Sequence, residues 1–73
     1  MQQRSSGSTG LADSPVDDAT YNLLQALVSK LEAIEAYQTY RTDDPQGVFG
    51  EMISDERRHA ERLLQALRTQ IGR

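Results

Sequence analysis

The sequence contains no cysteine and no tryptophan, and only two prolines and a single lysine. Without cysteine, the chain has neither disulfides nor zinc sites built from thiolates. A chain of 73 residues is marginally stable alone, because it buries only about 60% of the surface that its unfolded form exposes. Small domains of this kind are usually stabilised by disulfides, a metal or association. We therefore expect a metal held by other ligands, a partner chain, or both.

Further absences exclude several classes of partner. The net charge is −3 and no dense basic patch occurs, so we expect no nucleic-acid partner. No apolar run approaches the roughly 20 residues of a membrane-spanning helix. The first residues also lack the apolar segment of a secretory signal. These features predict no membrane association and a cytoplasmic location, either free or inside a protein compartment.

Residues 1–13 differ in composition from the rest of the chain, because they are rich in Ser, Gly and Gln and have few apolar side chains. Such a segment does not offset by burial the entropy that it loses on ordering. We predict a disordered tail here. The alternative is a peptide that docks on a partner or on a protein shell.

Two helix starts divide residues 14–73, and in each a capping side chain precedes a proline that suits the first position of a helix. These starts are Ser14–Pro15 and Asp44–Pro45. They predict an all-α fold with helices over about 15–42 and 45–71. Because the connection between them is short, we expect the two helices to lie antiparallel as a hairpin.

The apolar positions predict how such a hairpin associates. In the second helix they form a narrow stripe, as expected for a helix that packs on one neighbour. In the first helix they cover well over half of the circumference: Leu23, Leu24, Ala26, Leu27, Val28, Leu31, Ile34, Tyr37 and Tyr40. One neighbouring helix does not cover so wide an arc. The surplus predicts a homo-oligomer, either a dimer resembling a four-helix bundle or a higher assembly.

One pair of residues has the spacing of a metal site. Glu56 and His59 are three residues apart, so they project from one face of a helix. Sites for two iron or two manganese ions in helix bundles use this unit, together with a Glu from a facing helix. Glu56 also falls within the apolar stripe, where an unpaired carboxylate is costly. A metal or a cation is therefore expected beside it, and an ion pair with an arginine is the metal-free interpretation.

The segments LEAIEAY, DDP and SDERRHAERLLQAL resemble the rubrerythrin branch of the ferritin-like superfamily, over about residues 20–68. The layout is also similar to that of encapsulated ferritins, which have one hairpin per chain. The resemblance implies that hairpins pair, that metal sites form between chains and that iron(II) is oxidised there. It also implies assembly into rings that deliver iron to a surrounding protein shell.

Carried over residue by residue, the resemblance places metal ligands at Glu56 and His59. It places the first-helix Glu of the family at Lys30, whose ammonium group does not ligate a metal. Glu32 and Glu35 are then the candidate substitutes. The leading prediction is a metal-binding subunit, ferroxidase-like if metal binds, with a di-iron centre formed between chains and manganese as the other candidate metal.

The alternative prediction uses the same residues without a metal. In it, Lys30 neutralises Glu56, and the hairpin serves as a helical assembly, cargo or interaction module. Tyr37 and Tyr40 are expected at an interface in either case. The two predictions differ in what compensates Glu56, so the surroundings of this carboxylate decide between them.

Overall fold

A computed structural model describes residues 14–72, and the tail predicted over residues 1–13 lies outside the described residues. Within residues 14–72 the chain forms two α-helices and no strand. Helix α1 covers Asp18–Tyr40 and helix α2 covers Val48–Ile71, with a 3₁₀ turn over Arg41–Asp43 between them. The predicted all-α helical hairpin is therefore confirmed.

Contacts along the length of the hairpin show that the two helices are antiparallel. At the open end, Gln70 Nε2 donates a hydrogen bond to Asp17 Oδ2 over 3.4 Å. Near the middle, Lys30 of α1 lies opposite Glu56 of α2. Neither helix of this described part is both long and apolar enough to cross a lipid bilayer.

Helix α1 begins at Asp18, later than the predicted start near residue 15. The reason is that Asp17, rather than Ser14, caps the helix: its Oδ1 accepts the Thr20 backbone N–H over 2.9 Å. The Ser14 hydroxyl oxygen instead accepts the Val16 N–H over 3.0 Å, in a turn before the helix. A carboxylate is favoured at this position because the helix N-terminus is electropositive.

Helix α2 also begins later than predicted, at Val48 instead of near residue 45. The backbone of Gly47 has φ of 73°, which lies in the left-handed region and interrupts any helix that starts at Pro45. Asp44 nevertheless stabilises the start of α2, as predicted. Its Oδ2 accepts the Phe49 N–H over 2.6 Å, so the carboxylate reaches the helix from before the turn.

Three aromatic rings close the turn end of the hairpin. Phe49 of α2 packs against Tyr37 and Tyr40 of α1, with ring centroids 5.5 Å and 5.3 Å away. These separations are within the range in which aromatic pairs attract each other. The cluster ties the end of α1 to the first turn of α2 and so fixes how far the helices slide along each other.

The buried core among residues 14–72 is a single line of three side chains on α2. Ile53, Ala60 and Leu67 are spaced by seven residues, so they follow one side of the helix toward α1. Helix α1 has no fully buried residue. One hairpin therefore buries only these three apolar side chains fully, and others, such as Val28 and Leu31, stay about half exposed.

Candidate functional site

An ion pair joins the two helices near the middle of the hairpin. The Lys30 Nζ atom lies 3.0 Å from Glu56 Oε1. The Glu56 side chain is only 16% exposed, whereas that of Lys30 is 35% exposed. The ammonium group therefore compensates the carboxylate on the side where α1 covers it, and its outer N–H groups still reach the surface.

His59 contacts the same carboxylate from one turn further along α2. Its Nδ1 atom lies 3.2 Å from Glu56 Oε1. Because an ionised carboxylate only accepts hydrogen bonds, Nδ1 must carry the proton in this contact. The His59 side chain is 56% exposed, so its other ring nitrogen, Nε2, is available for a second contact.

These neighbours shift the acidity of Glu56. The hydrogen bond with His59, followed by the hydrogen bond with Lys30, lowers the pKa of Glu56 below its usual value of 4.5, against the opposing effect of partial burial. A carboxylate whose pKa is lower in the folded state stabilises that state above the unfolded pKa. This contribution is lost as the pH falls through the folded pKa.

The shift predicts a difference between the wild type and Glu56→Gln that depends on pH. From neutral pH to about pH 5, the wild type should have the higher melting temperature. Below pH 4.5 the melting temperatures of the two proteins should converge. At such pH values protonation removes from Glu56 the negative charge that the variant lacks at every pH. The pKa of Asp17 is also lowered, mainly by hydrogen bonding with Thr20, but Asp17 is present in both proteins and its effect cancels. A difference in melting temperature that stays the same at every pH would contradict this assignment.

The other two predicted ligands lie on a different side of α1 from Lys30, which contacts Glu56. Glu32 and Glu35 are exposed and line a shallow groove with Val28 and Leu31. Within residues 14–72 no group of three or more His, Asp or Glu side chains is arranged to hold a metal ion. One chain thus brings Glu56 and His59 together, next to a lysine that does not ligate. These residues do not form a metal site by themselves, and the predicted site between chains needs a second copy.

A mainly apolar groove runs along one side of the hairpin. Its floor consists of side chains from both helices: Leu27, Leu31, Ile34, Ala60 and Leu64. Arg57 and Glu61, which are one turn apart on α2, form its rim. We call this surface the apolar groove. The sequence gives a signal for it, because the positions on α2 flank Ala60 at helical spacing.

A second groove contains the Lys30 and His59 side chains. Its lining is completed by Arg62, Leu63 and Ala66 of α2, and we call it the basic groove. At about 100° per residue, His59 and Leu63 lie on one side of the buried line through Ala60, and Leu64 lies on the other side. The apolar and basic grooves therefore face opposite sides of the hairpin.

Comparison with protein-family models, with curated proteins and with solved structures finds no match to this chain. The ferritin-like resemblance therefore stays a prediction.

Proposed function

We propose that the chain is a helical assembly module that associates with copies of itself, and that Lys30 rather than a metal compensates Glu56. The observation that carries this proposal is the exposed apolar surface of α1. Leu31 is 52% exposed and Val28 is 46% exposed, and Leu31 continues directly into the apolar groove. Exposed apolar surface of this extent is typical of protein interfaces.

The free energy of covering this surface favours association. Burying a Leu or Val side chain fully contributes about 1.5–3 kcal/mol. Leu31 is about half exposed, so covering it with a second copy in the apolar groove contributes about half of that amount. The floor of the apolar groove adds further side chains from both helices. Association of two copies therefore supplies the core that one hairpin lacks.

The charges at the rim of the apolar groove favour a second copy as its occupant. Arg57 and Glu61 have opposite signs and are separated by one helical turn. In a two-fold arrangement, residue i of one copy faces residue j of the other, and j faces i. A two-fold axis through the groove places Arg57 of each copy beside Glu61 of the other. The surface is thus complementary to itself in charge as well as in polarity.

Lys30 affects whether the assembly binds a metal. Near the middle of the hairpin, its ammonium supplies the positive charge that Glu56 needs. A metal at the same carboxylate has to compete with this cation. The proposed module therefore assembles without metal and acts as a scaffold, cargo or interaction protein, with the cytoplasm or a protein compartment as the expected location.

A second candidate function is supported by the contact between Glu56 and His59. The two side chains project from one face of α2, and Nε2 of His59 is available. In a ferritin-like assembly they would hold iron, or manganese, together with Glu32 or Glu35 of another copy. Iron would supply redox chemistry at that site. Here Lys30 would have to move away from Glu56 to admit the metal.

Metal removal distinguishes the two functions. For the metal-free module, sedimentation should give the same oligomer mass with and without a chelator, and iron(II) under anaerobic conditions should leave the melting temperature unchanged. Uptake of about one iron per chain, with a rise in melting temperature, would support the ferritin-like function instead, because a ligand bound only by the folded state stabilises it.

The variant Glu56→Ala in metal-free buffer provides an independent readout. It should lower the melting temperature, because it leaves the Lys30 ammonium unpaired at the interface between the helices. Asp55→Ala is the matched control: it removes a carboxylate from the same turn of α2, where Asp55 forms an exposed ion pair with Arg58. Exposed pairs contribute little, so the control should melt near the wild type. A Glu56→Ala variant more stable than the wild type would contradict the role of Lys30.

A further inference from the structure

The apolar groove does not account for all of the exposed apolar surface of α1. Leu24 and Val28 do not line it, and Val28 lies about 100° further around the helix than Leu27. Val28 instead shares a groove with Leu31, Glu32 and Glu35. We call the side of α1 formed by Val28, Leu31, Glu32 and Glu35 the acidic ridge. A second copy in the apolar groove leaves most of this ridge uncovered.

The acidic ridge combines apolar side chains with unpaired charge. None of the ion pairs among residues 14–72 involves Glu32 or Glu35. The charges also concentrate at one end of the ridge, because Val28 and Leu31 come first along α1 and Glu35 comes last. A surface that covers the ridge must therefore be apolar at one end and positive at the other.

The basic groove has this composition. Arg62 belongs to none of the ion pairs among the described residues, and its guanidinium has five N–H donors. His59 contributes an exposed ring, whose Nε2 atom is not used in the contact with Glu56. Lys30 also has three N–H donors, of which the Glu56 contact uses one. Leu63 and Ala66 supply the apolar end of the groove.

The two surfaces also match in spacing. Both follow one face of a helix at positions i, i+3, i+4 and i+7. Along α1 the order is apolar, apolar, acidic, acidic, and along α2 it is basic, basic, apolar, apolar. When the helices are antiparallel, apolar side chains face apolar side chains, and acidic side chains face basic ones. When they are parallel, each carboxylate faces an apolar side chain, so charge and polarity select the antiparallel alignment.

We infer that the basic groove of one chain receives the acidic ridge of a second copy of this chain, with the two helices antiparallel. The facing pairs in this register are Val28–Ala66, Leu31–Leu63, Glu32–Arg62 and Glu35–His59. This inference rests on the proposed self-association and extends it to a second contact surface.

The contact has a consequence for the size of the assembly. Ridge and groove lie on different sides of the hairpin, so one pair of chains does not form the contact in both directions. The contact is therefore of the head-to-tail kind, which continues from chain to chain until it closes on itself or grows further. Together with the two-fold contact through the apolar groove, it produces assemblies larger than a pair.

Charge reversal at one facing pair tests the inference. Arg62→Glu and Glu32→Arg each place two like charges opposite each other, so each should weaken assembly beyond pairs by at least about tenfold. Combining both substitutions restores opposite charges in swapped positions and should restore the wild-type mass. Sedimentation at low salt measures the masses, and circular dichroism verifies that helicity is kept. Arg41→Glu is the control, because it reverses an exposed charge in the turn between the helices, outside the acidic ridge and the basic groove, and it should leave the mass unchanged.

The outcomes separate this inference from the proposed function. If the wild type is oligomeric but neither reversal changes its mass, the ridge-and-groove contact is wrong and self-association stands. The same holds if the double variant has no larger mass than the single variants. A monomeric wild type would overturn both. A loss of mass with Arg62→Glu that is rescued by Glu32→Arg supports the contact between copies over docking of an unrelated partner.

Discussion

Leu31→Asp is expected to dissociate the assembly and to remove most of the helical structure with it. Leu31 lies in the apolar groove and on the acidic ridge, so the substitution affects both proposed contacts. Each copy loses about 1 kcal/mol of apolar burial, and the substitution also places a carboxylate among the apolar side chains of the contact, where Arg57 already faces Glu61 of the other copy. Because a two-fold contact contains the residue twice, the total is at least about 3 kcal/mol, which is about a hundredfold in Kd.

Sedimentation and circular dichroism over a range of protein concentrations measure this effect. Ser29→Asp is the matched control, since it adds the same charge to an exposed polar position in the same turn of α1. The control should keep the mass and helicity of the wild type. A Leu31→Asp variant that remains fully assembled would show that this side of α1 is not an interface. A wild type that is a cooperative, well-folded monomer would contradict the proposed function itself.

Ile53→Ala is expected to have a comparably large effect, on folding rather than on association. Ile53 is the most buried of the three core side chains, with 4% of its surface exposed. Truncating a buried Ile to Ala typically costs about 2–5 kcal/mol, because burial is lost and a cavity remains. For a chain of this size, the loss lowers the melting temperature by about 10 °C or more.

Ile71→Ala is the matched control for this substitution. It removes the same atoms from the same helix, but at a position that is 65% exposed, and its melting temperature should therefore stay close to that of the wild type. Equal effects of the two substitutions would indicate that the line of core residues on α2 does not hold the hairpin together. Thermal melts followed by circular dichroism, at one fixed protein concentration, compare the variants on the same basis.

The helices could be predicted from the sequence because each level of the pattern agrees. Apolar positions recur at helical spacing, and the short connection leaves only an antiparallel neighbour. The first residue of each helix was not predicted correctly, because two nearby residues favour different starting positions. Asp17 is nearer to the first helical turn than Ser14 and caps it with a carboxylate. At the second start, the left-handed backbone of Gly47 outweighs the suitability of Pro45 for a first helical position.

The candidate site could be predicted only in part. That Glu56 needs a partner follows from its apolar surroundings, and the structure places both Lys30 and His59 against it. The arrangement of Glu32 and Glu35 relative to Glu56 does not follow from one chain, because these side chains leave the hairpin in different directions. The basic groove was not predicted from the sequence, because its lining comes from both helices and is recognised only once Lys30 and Arg62 are seen to line one groove.

The aromatic cluster at the turn has a kinetic consequence. Tyr40 and Phe49 are nine residues apart in the sequence, whereas Asp17 and Gln70 at the open end are 53 residues apart. The entropy lost on closing a loop grows with its length, and chains dominated by local contacts fold quickly. We therefore expect the hairpin to form from the aromatic rings toward its open end, so that the contact between Asp17 and Gln70 forms last.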